Sequence, residues 1–173
     1  MSSTTATSCI SASPIKAYAM ALLHFEDFPP GEVRVYGDRL VTAEEIVAFA
    51  REYDPQPFHV DAEAAKDSQV GELIASGWHT GVMLMRMNCD EFLLDTASEG
   101  APGCDEVKWL KPVRPGDRIK VRRTILSARL SRSRPEIGIV EMLCEVLNQR
   151  DDVVMTQRHS GFIRRRAAEG GAA

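Results

Sequence analysis

The chain has 173 residues, 44% hydrophobic and 27% charged. That is enough for one domain with a sizeable core, and too apolar for a disordered chain. A formal net charge of −4 offers nucleic acid no global basic field.

Cys9, Cys89, Cys104 and Cys144 form no C-x-x-C pair and have no histidine at zinc-ligand spacing. With no convincing secretory signal, they read as reduced thiols of a cytoplasmic protein. No run of about 18 apolar residues is present, so no membrane-spanning helix is expected. Residues 1–15 are rich in Ser, Thr and Ala, and Lys16 precedes a short apolar run, Ala17 to Leu23. A signal peptide would carry its charge before a longer apolar core. The expectation is a disordered extension over residues 1–23, with Met20 a candidate natural start. One domain over 24–166 and a frayed tail over 167–173 follow.

A Pro-Pro-Gly turn at Pro29 to Gly31 leads into a short strand, Glu32 to Tyr36. Thr42-Ala-Glu-Glu45 is a capping box, in which the threonine hydroxyl takes the Glu45 amide and Glu45 reaches back. Ala43, Ile46, Val47, Ala50 and Tyr53 then recur at helical spacing, which predicts an amphipathic helix over 42–53. Pro55 and Pro57 end it. Asp61 is an N-cap for a short helix through Ala62, Ala64 and Ala65. A third helix is predicted from Gly77 to about Leu94, apolar on nearly every side and therefore buried. Met83, Met85 and Met87 read as adaptable core filler there.

The second half changes period. Val107, Trp109 and Leu110 suggest a strand, and Lys111 to Asp117 is turn chemistry. Ile119, Val121 and Ile125 share one face of a long strand. Val140, Met142, Cys144 and Val146 alternate with Glu141 and Glu145 in the next. Asn148 to Asp152 reads as a hairpin connection and Val153 to Ile163 as the last strand. One buried helix and a run of antiparallel strands make an α+β protein, packed most economically as a curved sheet around the helix.

Chemistry concentrates in Tyr53-Asp-Pro-Gln-Pro-Phe-His-Val-Asp61 and Gly71-Glu-Leu-Ile-Ala-Ser-Gly-Trp-His-Thr80. Asp54 and His59 lie on a chain stiffened by Pro55 and Pro57. A carboxylate and an imidazole aimed at one water can activate it and return its proton. On spacing alone a polar turn after a helix is the simpler reading, because D-x-x-x-x-H arises often by chance. Gly77 stands at the start of the long helix, where free amides and the positive dipole end suit an oxyanion. Ser76 capping that helix and Gly77 packing tightly are compatible with the same role.

Asp54-Pro-Gln-Pro-Phe-His-Val-Asp61 with Ile74-Ala-Ser-Gly77 resembles the signature of MaoC-like dehydratases and R-specific enoyl-CoA hydratases. The resemblance continues through Trp109 to Asp117 and Ser131-Arg-Ser-Arg-Pro135, and covers roughly residues 24–165. It implies a hot-dog fold and homodimers whose paired sheets leave acyl tunnels near the interface. It also implies syn addition of water to a trans-2-enoyl-CoA, giving an (R)-3-hydroxyacyl-CoA, with no metal or redox cofactor. By position, Asp54 and His59 correspond to the catalytic pair, and the Gly77 amide to the group that holds the thioester oxygen. Gln56 stands where Asn is usual. Ser76 replaces a frequent His. Val82 occupies the place where many R-hydratases carry a serine that bonds the catalytic Asp, which puts the tuning of Asp54 in question.

Ser76, Trp78 and His79 are further candidates for substrate binding. Core packing is the preferred reading for Trp78, and His79 is equally a polar residue of the first helical turn. His24 and His159 read as surface or satisfied histidines. Arg129, Arg132 and Arg134 form a cluster that could meet coenzyme A phosphates, although a solvated loop is the simpler reading for each. Arg164 to Arg166 read as a solvated terminus. The rival functions are a hot-dog thioesterase and a non-catalytic acyl-CoA-binding or partner subunit.

Overall fold

The computed structural model describes residues 22–167. The expected N-terminal extension and C-terminal tail fall outside it, apart from Leu22, Leu23 and Ala167. Leu23 is tied down by its amide on the Asp95 carbonyl at 2.7 Å and by its carbonyl accepting from Ala97 at 2.8 Å.

Five strands and three α-helices follow in chain order: β1 (Val33–Leu40), α1 (Ala43–Tyr53), α2 (Pro57–Val60), α3 (Gly77–Glu91), β2 (Cys104–Trp109), β3 (Arg118–Leu130), β4 (Ile137–Leu147) and β5 (Val153–Arg164). The strands form one sheet in the order β1-β3-β4-β5-β2, with every neighbouring pair antiparallel. Met83, Leu84 and Met87 of α3 join Ile119, Val121 and Ile125 of β3 and Val140 and Met142 of β4 in one core. A long helix wrapped by a curved antiparallel sheet is the hot-dog arrangement, as the alternating strand pattern and the apolar helix predict.

Several local expectations need correction. α3 is not buried all round: Trp78, Val82 and Met85 are 63%, 55% and 48% exposed. These positions, i, i+4 and i+7, make one outward stripe. Met85 is therefore not core filler, whereas Met83 and Met87 are. Tyr53 is exposed rather than packed on the apolar face of α1. Thr42 caps α1 by accepting from the Glu45 amide at 3.2 Å, but Glu45 turns to Arg39 and His79 instead of reaching back. After Asp61, which accepts from the Glu63 and Ala64 amides, the chain forms a 3-10 turn, Ala64–Asp67, rather than an α-helix. β1 runs on to Leu40 through a register shift between Tyr36 and Arg39. Gly37 sits there at φ 76°, and a Cβ would lie 2.5 Å from the Met87 sulfur. Glycine thus admits α3 close to the sheet.

Candidate active site

Two helix ends and one loop meet at the site. Pro55 stops α1, so Asp54 becomes its C-cap, with its amide bonded to the Ala50 carbonyl at 2.9 Å. Pro57 then starts α2, a helix the sequence reading missed because it took this proline only as a terminator. At the first helical position proline is favoured, since its missing N–H has no partner to lose. This single turn, with Gln56 as its N-cap, presents His59 back toward Asp54.

His59 is 5% exposed, and its Nδ1 lies 2.8 Å from the Ile74 carbonyl oxygen. A carbonyl only accepts, so Nδ1 carries the hydrogen, and in the neutral ring the lone pair is on Nε2. That Nε2 is 3.6 Å from Asp54 Oδ2. The separation is too long for a good direct hydrogen bond, and it suits one water donating to both.

The Ser76 hydroxyl donates to Asp54 Oδ2 at 2.6 Å, and the Gln56 amide donates to Oδ1 at 2.8 Å. The Ser76 bond, followed by the Gln56 bond, holds the Asp54 carboxyl below its usual range against the opposing effect of burial. Ser76 is fully buried, and its oxygen also accepts from the Trp78 amide at 3.2 Å. It therefore fixes the carboxylate and caps α3 at once. This is the hydroxyl that the sequence comparison found lacking at position 82. Val82 itself lies on the exposed stripe of α3 and lines no part of the site.

Asp54, His59, Ser76, Gly77 and Trp78 line one cavity of about 430 Å³. Ile74, Trp109, Leu110, Val113 and Val154 supply its apolar wall. Gly77 opens α3, and its amide has no acceptor among the described residues. A Cβ on Gly77 would lie 2.5 Å from the Trp109 ring, so the glycine is where the indole comes down on the helix end. Trp78 meets Trp109 edge-to-face, with centroids 5.1 Å apart. Trp78 is thus a lip of the cavity and not a core residue, contrary to the preferred expectation.

His79 does not reach the cavity. It is 3% exposed, stacks on Phe49 at 4.7 Å and lies 3.5 Å from Glu45. Its successor on the helix, Thr80, lines the cavity instead and donates to the Ser76 carbonyl. Among the described residues, no group of three His, Cys, Asp or Glu side chains is placed to hold a metal ion.

Half-buried Asp54, buried His59 and the free Gly77 amide at a helix start thus face one cavity with an apolar wall. Residues 26–141 match the MaoC-like domain. The chain belongs to that family. A MaoC-like dehydratase from Rhodospirillum rubrum is 39% identical, with a TM-score of 0.76, over 84% of this chain and 99% of that one. An uncharacterised Bacillus subtilis protein, YdeM, is 27% identical over 83% of this chain and 100% of its own length. The R-hydratase from Pseudomonas aeruginosa shares the fold at a TM-score of 0.66 and 20% identity, covering 87% of this chain and 94% of that chain. In this MaoC-like chain Asp54, His59, Ser76, Gly77 and Trp78 converge. His79, His24 and His159 lie apart from the cavity.

Proposed function

We propose that this MaoC-like protein hydrates trans-2-enoyl thioesters, giving (R)-3-hydroxyacyl thioesters, and catalyses the reverse dehydration. The observation that carries the reading is Asp54 Oδ2 and His59 Nε2, two acceptors 3.6 Å apart, facing a cavity that also holds the Gly77 amide. The water between them donates one hydrogen to each, and its free lone pair points at C3 of the substrate. As the C3–O bond forms, one proton passes to the Asp54/His59 pair, and charge moves through C2 to the thioester oxygen. The Gly77 amide and the start of α3 stabilise that oxygen. The pair then returns the proton to C2 on the face that received the hydroxyl, so addition is syn. Atoms balance with no other reactant.

The protein acts as a homodimer in this reading. The α3 stripe of Trp78, Val82 and Met85 lies exposed, and so do Trp109 and Leu110 at the end of edge strand β2. A second copy paired along β2 would cover both the open strand edge and the apolar stripe. The described cysteines, Cys89, Cys104 and Cys144, are unpaired, which supports a reducing cytoplasmic setting.

The test is loss of enoyl absorbance from crotonyl-CoA and a short panel of longer and branched enoyl-CoAs. Wild type is expected to consume at least one of them without releasing free thiol. Asp54→Asn and His59→Ala should each lose about 10²–10⁴-fold in kcat, the usual worth of general acid–base groups. Release of free thiol would make the protein a thioesterase. Binding without turnover across the panel would make it a non-catalytic partner subunit.

A further inference from the structure

The β3–β4 hairpin carries a further pocket, of about 480 Å³, between Arg129, Ser131, Arg132, Ser133 and Ile139. Its charge stands out against the rest of the surface. Among the described residues, Arg51, Arg129 and Arg132 are the cations with no carboxylate within 4.0 Å, and every other Lys or Arg has one. Arg134, which the sequence groups with Arg129 and Arg132, is neutralised by Glu136 and Glu99. The loop is shaped from within: the Arg134 amide donates to the Ser131 hydroxyl at 3.2 Å, and the Ser131 amide to the Ile137 carbonyl at 2.9 Å. Two uncompensated guanidinium groups and two hydroxyls around one pocket match the oxygens of a phosphate.

The pocket is remote from its own chain's cavity. β3 starts beside the loop that lines the cavity and runs 13 residues to the hairpin. At about 3.3 Å per residue that is roughly 40 Å. A second copy changes the geometry. β2 pairs with the middle of β5, Glu106 opposite Arg158 and Val107 opposite Gln157. A copy joined antiparallel along β2 inverts the sheet end for end, so its hairpin arrives at the end where this cavity opens. From β2 to the copy's β4 there are three strand spacings, about 15 Å. That lateral separation is on the scale of an extended pantetheine arm leaving the thioester.

We propose that Arg129 and Arg132, with the Ser131 and Ser133 hydroxyls, hold a phosphate of the substrate's carrier arm across the dimer seam. This rests on the thioester-hydratase reading and on dimerisation through β2. The phosphate belongs either to the nucleotide of coenzyme A or to the phosphopantetheine of a carrier protein.

The test compares KM for crotonyl-CoA, crotonyl-pantetheine and crotonyl-carrier protein in wild type and in Arg129→Gln/Arg132→Gln. Wild type should favour at least one phosphate-bearing thioester over crotonyl-pantetheine by ten-fold or more in KM, and the double variant should lose that preference at similar kcat. A preference that survives in the variant, or is absent from wild type, overturns the proposal. Competition by adenosine 3′,5′-bisphosphate against crotonyl-CoA in wild type only assigns the nucleotide. A preference lost for the carrier-protein thioester alone assigns the phosphopantetheine. Mixed dimers with Asp54→Asn chains decide the seam: their one intact cavity faces an intact hairpin across the seam and should keep the wild-type KM. A raised KM there overturns the placement across the seam. If wild type turns over none of these thioesters, the hydratase reading fails. Calorimetry with adenosine 3′,5′-bisphosphate then still reads the pocket: binding by wild type at least ten-fold tighter than by the variant supports it, and equal binding overturns it.

Discussion

Asp54 is held by two side chains of opposite visibility. Gln56 is its near neighbour in the chain, while Ser76 comes from 22 residues away. Removing the Ser76 hydroxyl removes the largest influence that lowers the Asp54 pKa. In Ser76→Ala the acid limb of the kcat/KM profile is expected to move to higher pH, because the carboxylate now accepts a proton more readily. The loss of a hydrogen bond to a charged group, about 1.5–3 kcal/mol, should also cost roughly ten- to a hundred-fold in kcat at neutral pH. A pH profile that shifts the other way, or stays in place, would show that Ser76 serves only as a helix cap. Stability follows the same sign. A carboxyl with a lowered folded pKa adds stability above its unfolded value, and that contribution is lost as pH falls through the folded one.

At the level of elements, prolines and one buried ion pair set the frame. Pro55 and Pro57 end one helix and begin the next within three residues, which turns Asp54 and His59 toward the same point. On the other side of the core, Arg123 is 2% exposed on the apolar face of β3, between Phe28 and Phe92. Its partner is Glu32, at 2.9 Å, while Nε and Nη1 have none. Breaking such a pair from one side strands a buried charge, whereas replacing it by apolar groups can be neutral. Glu32→Gln is therefore expected to destabilise by up to about 3 kcal/mol, moderated by the one-fifth exposure of Glu32. Adding Arg123→Met should recover most of that loss in urea melts. A double variant less stable than the single one would mean that the cation–π stacking outweighs the cost of burying the charge.

For the whole molecule, the proposed dimer would rest on the exposed stripe of α3 and the open edge of β2. Val82→Lys places a charge at the centre of that stripe, away from the cavity. It is expected to convert the dimer to monomer in sedimentation equilibrium and to lower activity as the concentration falls. A variant that remains dimeric would move the interface elsewhere, most directly to the other sheet edge, β1.

The alternation of β3, β4 and β5, the cap and apolar face of α1, and the position of the long helix were legible in the sequence, because each follows from local periodicity. The candidate pair Asp54 and His59 came from the resemblance of the Pro-rich motif and of Ile74 to Gly77 to a known signature, not from spacing. The role of Ser76, the closing of Trp109 over Gly77 and the burial of His79 against Phe49 and Glu45 were not legible. Each depends on which residues distant in the chain meet when α3 docks on the sheet. The exposed side of α3 escaped notice for a related reason. Composition alone cannot tell a helix buried by its own sheet from one that keeps an apolar side for a second copy. Local pattern thus determined the elements, and tertiary packing decided how the Asp54 carboxylate is held, which aromatic ring packs on Gly77, and which apolar surface remains open.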